Sequence, residues 1–325
     1  MSGGDPQLIE SASLSDVGQV RSSNQDYCDD FLSPSGNRLL VVADGMGGHR
    51  GGATASRIAT ETIGEVFMRA TEESSEILYE ALTEANRRVH QQSIDDPELR
   101  GMGTTVVALL FDTEGCVWVA HVGDSRAYRL HADGMEQITQ DHSVVGEMVR
   151  RGLITAEEAE VHPRRNEILR SVGVEGQVEI DVAQVVTAPG DFFILCSDGL
   201  TGLVSDLEIA RIVQSETPEN AARQLVDLAN DLGGHDNITV QVARVPSDET
   251  QSVNFDQSIQ PDEPEAVPYG WIAGLAAAFI VLIVTYLTVS GDNPEPEVTN
   301  SPTAPIEAVE NQVPQPDAHG EELTP

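Results

Sequence analysis

The chain has 325 residues, enough for one large domain with appendages or two small domains. Its 54 Asp and Glu face only 18 basic residues, all of them arginine, for a formal net charge of −36. No basic stripe is left for nucleic acid. The three cysteines Cys28, Cys116 and Cys196 lack C-x-x-C spacing, which argues for a reducing compartment and against a thiolate zinc site.

In chain order, "MSGGDPQLIESASLSD" has neither a basic region nor an apolar core and does not read as a signal peptide. "RSSNQD" (21–26) lies between two short strand-like pieces. "RLLVVA" (38–43) reads as a strand that ends on Asp44, followed by glycines at 45, 47, 48, 51 and 52. The run continues His49-Arg50 rather than Gly-Lys-Ser/Thr, so it is not a P-loop, and Arg50 spoils a G-x-G-x-x-G count. A plain tight turn would use Asp and Gly as well. Helices are expected over 52–70 and 74–93. Strands follow at 104–111, 116–122 and 126–130, with the turns "DTEG" and "HADG" between them, the pattern of an antiparallel meander. A helix at 143–151 precedes strands at 178–186 and 191–197. Thr217-Pro218 opens the second of two further helices, 205–215 and 218–231, and "NITVQVARV" (237–245) is the last strand. Strands cluster with strands and helices come in pairs, so the fold class is α+β.

After residue 245 the composition changes. Residues 246–270 are acidic and contain proline, the mark of a flexible linker. "WIAGLAAAFIVLIVTYLTV" (271–289) carries no charge; at ~1.5 Å per residue it would reach roughly 28 Å, close to the ~30 Å hydrocarbon core. Tyr269 and Trp271 at one end and Tyr286 near the other suit the membrane interface. A single transmembrane helix is expected, with residues 1–245 forming a cytoplasmic catalytic domain and the acidic tail 290–325 disordered and outside.

The carboxylates carry the chemistry. "FFILCSDGL" (192–200) repeats the design of 38–45 by placing Asp198-Gly199 after an apolar run. "VAHVGDSR" (119–126) does so with Asp124, and "GGHDNITV" (233–240) mirrors it with Asp236 just before a strand. Adjacent strand ends would bring these like charges together, which is unfavourable unless a cation neutralises them. Hard divalent ions such as Mg²⁺ or Mn²⁺ take carboxylates, carbonyls and water. His49, His121 and His235 lack the paired spacing of a zinc site, and His121, inside an apolar strand, reads as a core histidine. Oxygen-ligated metals around water are the equipment of phosphoester hydrolysis, and Arg21 could hold the phosphate in bidentate fashion. A thiol mechanism is excluded, because C-x₅-R would need Arg at 34, 122 or 202 and finds Pro, Val and Gly.

The ordered set "RSSNQD", "VVADGMGGHRGG", "GMGTT", "HVGDSRAY", "TQDHS", "NEILRSVG", "LCSDGL" and "HDNITV" resembles the bacterial metal-dependent protein phosphatases of the type 2C family over about residues 10–245. The resemblance implies a four-layer α-β-β-α sandwich with a binuclear Mn²⁺ or Mg²⁺ centre at one edge. It implies hydrolysis of phosphoserine and phosphothreonine in proteins by a metal-activated water, opposing bacterial Ser/Thr kinases. Carried over by position, Asp44 bridges the metals, Gly45 offers its carbonyl, and Asp198 and Asp236 complete one ion's ligands. Asp26 holds water, Arg21 the phosphate, Asp124 a weaker third site, and 139–165 matches the flap beside the active site. Two departures stand out: Gln25 replaces a usual Glu, and Met46 stands where many eukaryotic members have a proposed general acid, leaving His49 as the nearest substitute. A catalytically silent scaffold of the same fold, binding metal or phosphopeptide, is the competing reading.

Overall fold

The computed structural model describes residues 9–70 and 75–247. Along the chain come β1 (Glu10–Asp16), β2 (Asp26–Leu32), β3 (Arg38–Met46), α1 (Gly48–Arg69) and α2 (Ser75–Asp95). Then come β4 (Gly103–Thr104), β5 (Val106–Phe111), β6 (Val117–Val122), β7 (Arg126–His131) and β8 (Gly134–Gln137). These do not form the expected single meander, because the chain crosses from one sheet to the other between β6 and β7. The short helices α3 (Val144–Arg150) and α4 (Ala156–Glu160) precede β9 (Asp181–Val185) and β10 (Phe192–Cys196). The described chain closes with α5 (Asp198–Thr201), α6 (Asp206–Ser215), α7 (Pro218–Asp231) and β11 (Ile238–Arg244).

The strands form two sheets, β1-β11-β10-β7-β8 and β2-β3-β5-β6-β9, with β4 on the end of β3; all the pairings are antiparallel. The period of two sorts the core. On β3, Leu39, Val41 and Ala43 pack under α1 and α2, while Leu40 and Val42 face the other sheet. On β10, Ile194 and Cys196 face the helices α6 and α7, while Phe193 and Leu195 point between the sheets. Both faces of the central strands are therefore covered, which is why they read as continuous apolar runs. Phe111 and Phe193 meet edge to face across the sheets at 5.3 Å and 82°, a contact worth about 0.5–1.5 kcal/mol beyond its area. On α7, Thr217 caps the Asn220 N–H, Pro218 opens the first turn, and Ala221, Ala222, Leu225, Val226 and Ala229 form the buried stripe.

Several expected boundaries move. β3 does not stop on Asp44 but runs on to Met46, because it changes partner: Arg38–Val42 pair with β5 and Gly45–Met46 with β4. The expected strand 104–111 splits at Thr105 for the same reason. α1 starts at Gly48 instead of residue 52, so most of the expected open glycine loop is the first turn of a helix. β9 covers 181–185 rather than 178–186, since its pairing with β6 begins only at His121↔Asp181. β8, α4 and α5 were not expected; β1, the strand-like piece before 21–26, is a polar edge strand, "ESASLSD", without clean apolar alternation. Among the described residues no helix is long and apolar enough to cross a membrane; the 271–289 segment, its linker and the tail lie outside them.

Candidate metal centre

One end of the two sheets gathers the aspartates. Asp26 starts β2 and stands directly opposite Asp44 of β3 in the antiparallel register. Asp198 follows β10 and Asp236 precedes β11, its neighbour in the other sheet. Asp124 sits in the turn between β6 and β7. Antiparallel pairing thus turns five strand ends, scattered over more than 200 residues, into one mouth.

The supporting hydrogen bonds fix these carboxylates. Asp26 Oδ2 accepts from Ser197 Oγ at 2.8 Å and from Thr239 Oγ1 at 2.7 Å, both on the opposite sheet. Ser15 stands 2.7 Å behind Thr239. The Asp44 N–H donates to Thr105 Oγ1 at 3.0 Å, and Thr105 Oγ1 lies 2.6 Å from Ser125 Oγ, so the Asp44 and Asp124 segments share a hydroxyl pair. Asn237 holds the loop before β2: its Oδ1 accepts the Gln25 N–H, and its Nδ2 donates to the Val17 and Ser23 carbonyls. Arg21 Nη2 donates to Asp236 Oδ2 at 2.7 Å.

The electrostatics carry the mark of crowding. Asp44 retains some solvent access, yet its carboxyl is pushed well above the usual carboxylate range, first by burial and then by the charges of Asp26, Asp198, Asp124 and Asp236. Asp198 is raised by burial and by Asp236, against a hydrogen bond with Asp44 and the charges of Arg21 and Arg126. Burial lifts Asp26 to about 6 in spite of its two hydroxyl donors. Burial, Asp198 and Asp141 lift Asp124 to about 7.

Two buried carboxylate oxygens, Asp26 Oδ1 and Asp198 Oδ1, have no hydrogen-bond partner. A buried, unpaired anionic oxygen is costly. Together with the surplus of like charge it fits a site completed by hard cations, and an all-oxygen donor set suits Mn²⁺ or Mg²⁺. Asp44, Asp124, Asp198 and Asp236, with the Gly45 carbonyl, are the residues that would hold them, and the free Asp26 Oδ1 would take a water on the ion.

The glycines after Asp44 also serve packing. A Cβ on Gly45 would lie 2.2 Å from the Gly52 carbonyl oxygen and 2.6 Å from that of Gln25; one on Gly52 would meet Gln25 Oε1 at 2.1 Å. These glycines let α1 press its first turn against β3, so the glycine-rich stretch serves backbone-to-backbone packing. Gly47 alone of this stretch's non-helical glycines takes a left-handed φ, 115°, as the N-cap of α1. His49 lies in that helix's first turn.

The histidine reading also changes. His121 is buried and its Nε2 is 3.0 Å from the Gln140 carbonyl, but its Nδ1 has no partner. The structure brings it to His142 and Asp181, residues far away in sequence. Ser197, Thr239, Thr105 and Asn237 were missed as site residues; the available signal was a hydroxyl or amide inside, or flanking, a run otherwise wholly apolar.

A two-sheet sandwich that collects aspartates at one end defines a protein that binds hard cations next to solvent. Residues 17–230 match the family model for protein phosphatase 2C, and the chain belongs to that family. It is 40% identical over 231 residues to the serine/threonine phosphatase stp of Listeria innocua, covering 69% of this chain and 91% of the relative. The serine/threonine phosphatase of S. agalactiae superposes with a TM-score of 0.69 at 36% identity, over 73% of this chain and 99% of that one. The catalytic domain of the serine/threonine protein phosphatase PstP, in complex with two manganese ions, superposes with a TM-score of 0.65 at 35% identity, over 74% and 99%. The chain is therefore a protein serine/threonine phosphatase, a hydrolase of a metal-dependent family.

Proposed function

We propose that the enzyme hydrolyses phosphoserine and phosphothreonine in proteins with two Mn²⁺ or Mg²⁺ ions and a weaker third one, and that it opposes Ser/Thr kinases from a membrane anchor. The observation that carries the metal reading is the pair of unpartnered buried oxygens, Asp26 Oδ1 and Asp198 Oδ1.

Divalent cations, when bound, lower the pKa of water and neutralise phosphoryl oxygens. The chain's own residues do the rest. Asp44, Asp198 and Asp236 supply charge from both sheets, with Gly45 offering a carbonyl and Asp124 a further carboxylate. Ser197 and Thr239 occupy Asp26 Oδ2 and leave Oδ1 as the acceptor that orients the attacking water. Arg21 reaches the same mouth and pairs with Asp236; with Asp236 taken up as a cation ligand, the guanidinium would be free to hold the substrate phosphate in a bidentate manner. The water oxygen bonds to phosphorus and gives up a proton to Asp26 Oδ1, the bond from phosphorus to the Ser or Thr oxygen breaks, and the leaving oxygen takes a proton, for which His49 is the candidate donor.

Full-length protein assayed on a phosphothreonine peptide should lose turnover in EDTA and regain it with Mn²⁺ or Mg²⁺; undiminished turnover after exhaustive chelation would defeat the reading. The anchor rests on the uncharged run 271–289 after an acidic linker. Cell fractionation should find the full chain in the membrane, with the catalytic part shielded from protease added outside intact cells. Recovery in the soluble fraction would overturn it.

A further inference from the structure

Beside the aspartates, where β6 and β9 pair, lies a second polar cluster. The imidazoles of His121 and His142 stack with centroids 4.7 Å apart and planes inclined by 22°. Among the described residues, His121, His142 and Asp181 form a group whose donor atoms all lie within 4.8 Å of one another. Two histidines and a carboxylate suggest a transition-metal site, but donor accounting rules it out. The Gly123 N–H donates to His142 Nδ1 at 3.2 Å, so the proton of the neutral ring is on Nε2. His142 Nε2 lies 3.4 Å from Asp181 Oδ2 and 3.3 Å from the donor-only Arg170 Nη1, so a cation there would sit against the guanidinium. Arg170 donates to Asp181 Oδ1 at 2.9 Å and already supplies the local positive charge. Stacked rings, moreover, send their lone pairs side by side rather than to one point. Burial, His121 and Arg170 hold the His142 ring down at about 4, and burial lowers His121, so both rings are neutral at pH 7.

The hydrogen bonds point to a different role. Gly123 turns the chain at the end of β6 with φ 108°, and a Cβ there would strike Thr105 at 2.6 Å. Its backbone is held at both polar groups by one residue: the His142 N–H donates to the Gly123 carbonyl at 2.9 Å while the ring accepts the Gly123 N–H. Asp124 is the next residue. The carbonyl of His142 in turn accepts the Leu169 N–H at 2.7 Å, and Ser143 bridges to Ile168. Both ends of the 139–170 segment and the Asp124 turn therefore meet at His142.

We propose that His142 is a positioning residue that fixes the Gly123–Asp124 turn to the base of the 139–170 segment and so sets how firmly a divalent cation is held at the Asp124 corner. The inference rests on the reading of Asp124 as a ligand. A ligand on a tight turn is only as well aimed as the turn is held, and groups that orient metal ligands commonly matter nearly as much as the ligands.

The test is Mn²⁺ titration of the full-length protein in detergent, with free Mn²⁺ counted by electron paramagnetic resonance, which reads binding independently of turnover. His142→Asn sets an amide oxygen where Nδ1 accepts the Gly123 N–H; His142→Gln keeps an N–H toward Asp181 but loses that acceptor. For the weakest Mn²⁺ site, His142→Gln should lose about tenfold in affinity, as Asp124→Asn does or more, and His142→Asn should recover most of it at equal thermal stability. Parental binding in His142→Gln, with Asp124→Asn impaired, overturns the proposal; so does equal loss in the Asn and Gln variants. If Asp124→Asn leaves Mn²⁺ binding unchanged, the ligand reading itself fails and the proposal falls with it. Should His142→Gln not fold, Asp181→Ala keeps the ring but removes its anchor, and is expected to weaken the same site; an unchanged affinity there also overturns the proposal.

Discussion

The two ends of β10 each hold an aspartate, and they treat it in opposite ways. Asp191, just before the strand, is buried against the Arg129 guanidinium at 2.8 Å and accepts the Ala188 N–H on the same oxygen. Asp198, just after it, is half-buried among Asp44, Asp26 and Asp236, with one buried oxygen unpartnered. Five residues of strand separate a neutralised carboxylate from one whose neighbours share its charge. The first arrangement is what folding alone favours. The second is tolerable only with a ligand that folding does not supply, and it locates the function.

The largest expected effect lies at the crowded end. Asp198→Asn and Asp44→Asn should each lower kcat on the order of 10³ or more, because each removes charge from the centre that stabilises the phosphoryl group. Steady-state kinetics at saturating Mn²⁺ checks this, and near-parental rates in Asp44→Asn would remove it from the centre.

Stability should respond with opposite signs at the two ends. Asp191→Asn removes the nearer and more buried of the two acidic partners of Arg129, itself only 15% exposed, leaving only the half-exposed Glu136 at 3.4 Å; breaking a buried pair costs up to about 3–5 kcal/mol. In chelator, Asp198→Asn relieves like-charge repulsion and should raise Tm, at about 2–4 °C per kcal/mol for a chain region of this size. If both substitutions lower the Tm of metal-free protein alike, the contrast between the two ends of β10 is wrong.

The pH dependence sharpens the same contrast. Asp26 at about 6 and Asp124 at about 7 lie above the unfolded range near 4. The native metal-free state therefore binds more protons than the unfolded one between those limits, and the slope of stability with pH is negative there. The contribution is fully present below pH 4 and is lost as pH rises through about 6 to 7. Chemical denaturation in chelator should show stability falling over that window. Calorimetry at pH 6 should show Mn²⁺ binding releasing protons. A metal-free stability that rises across the window, with no proton release, would mean that these carboxyls are not crowded in solution.

The sequence carried the parts of this arrangement that are local. Asp44 and Asp198 are conspicuous because each follows an apolar run, and those runs are apolar on both sides because each central strand lies between helices and a second sheet. What required the fold was anything set by partners distant in sequence. Ser197 and Thr239 reach Asp26 across 171 and 213 residues, and nothing in "LCSDG" or "NITV" announces that. The glycine run alone is ambiguous, because close backbone packing and a ligand loop ask for the same residue. His142 meets Asp181 only because β9 joins the edge of β6. β8 escaped notice since an edge strand with a polar face lacks the alternation that marks a strand.

The smallest expected effect belongs to the rim of the crowded end, where Arg21 pairs with Asp236. Both side chains are substantially exposed, 47% and 36%, so solvent and salt screen the pair, and it is worth under about 1 kcal/mol to the fold. Arg21→Ala should accordingly leave Tm almost unchanged. Its consequence should appear in substrate binding instead, because the guanidinium offers a planar pair of donors that fits a phosphate's oxygens and a lysine ammonium does not. KM for a phosphothreonine peptide should rise in Arg21→Ala, and Arg21→Lys should recover only part of the loss, since it restores the charge without the fork. The increase should shrink at high salt, where screening weakens the interaction being removed. A Tm loss comparable to that of Asp191→Asn would show that the Arg21–Asp236 pair is structural, like the one at the far end of β10. An unchanged KM would take Arg21 out of phosphate binding.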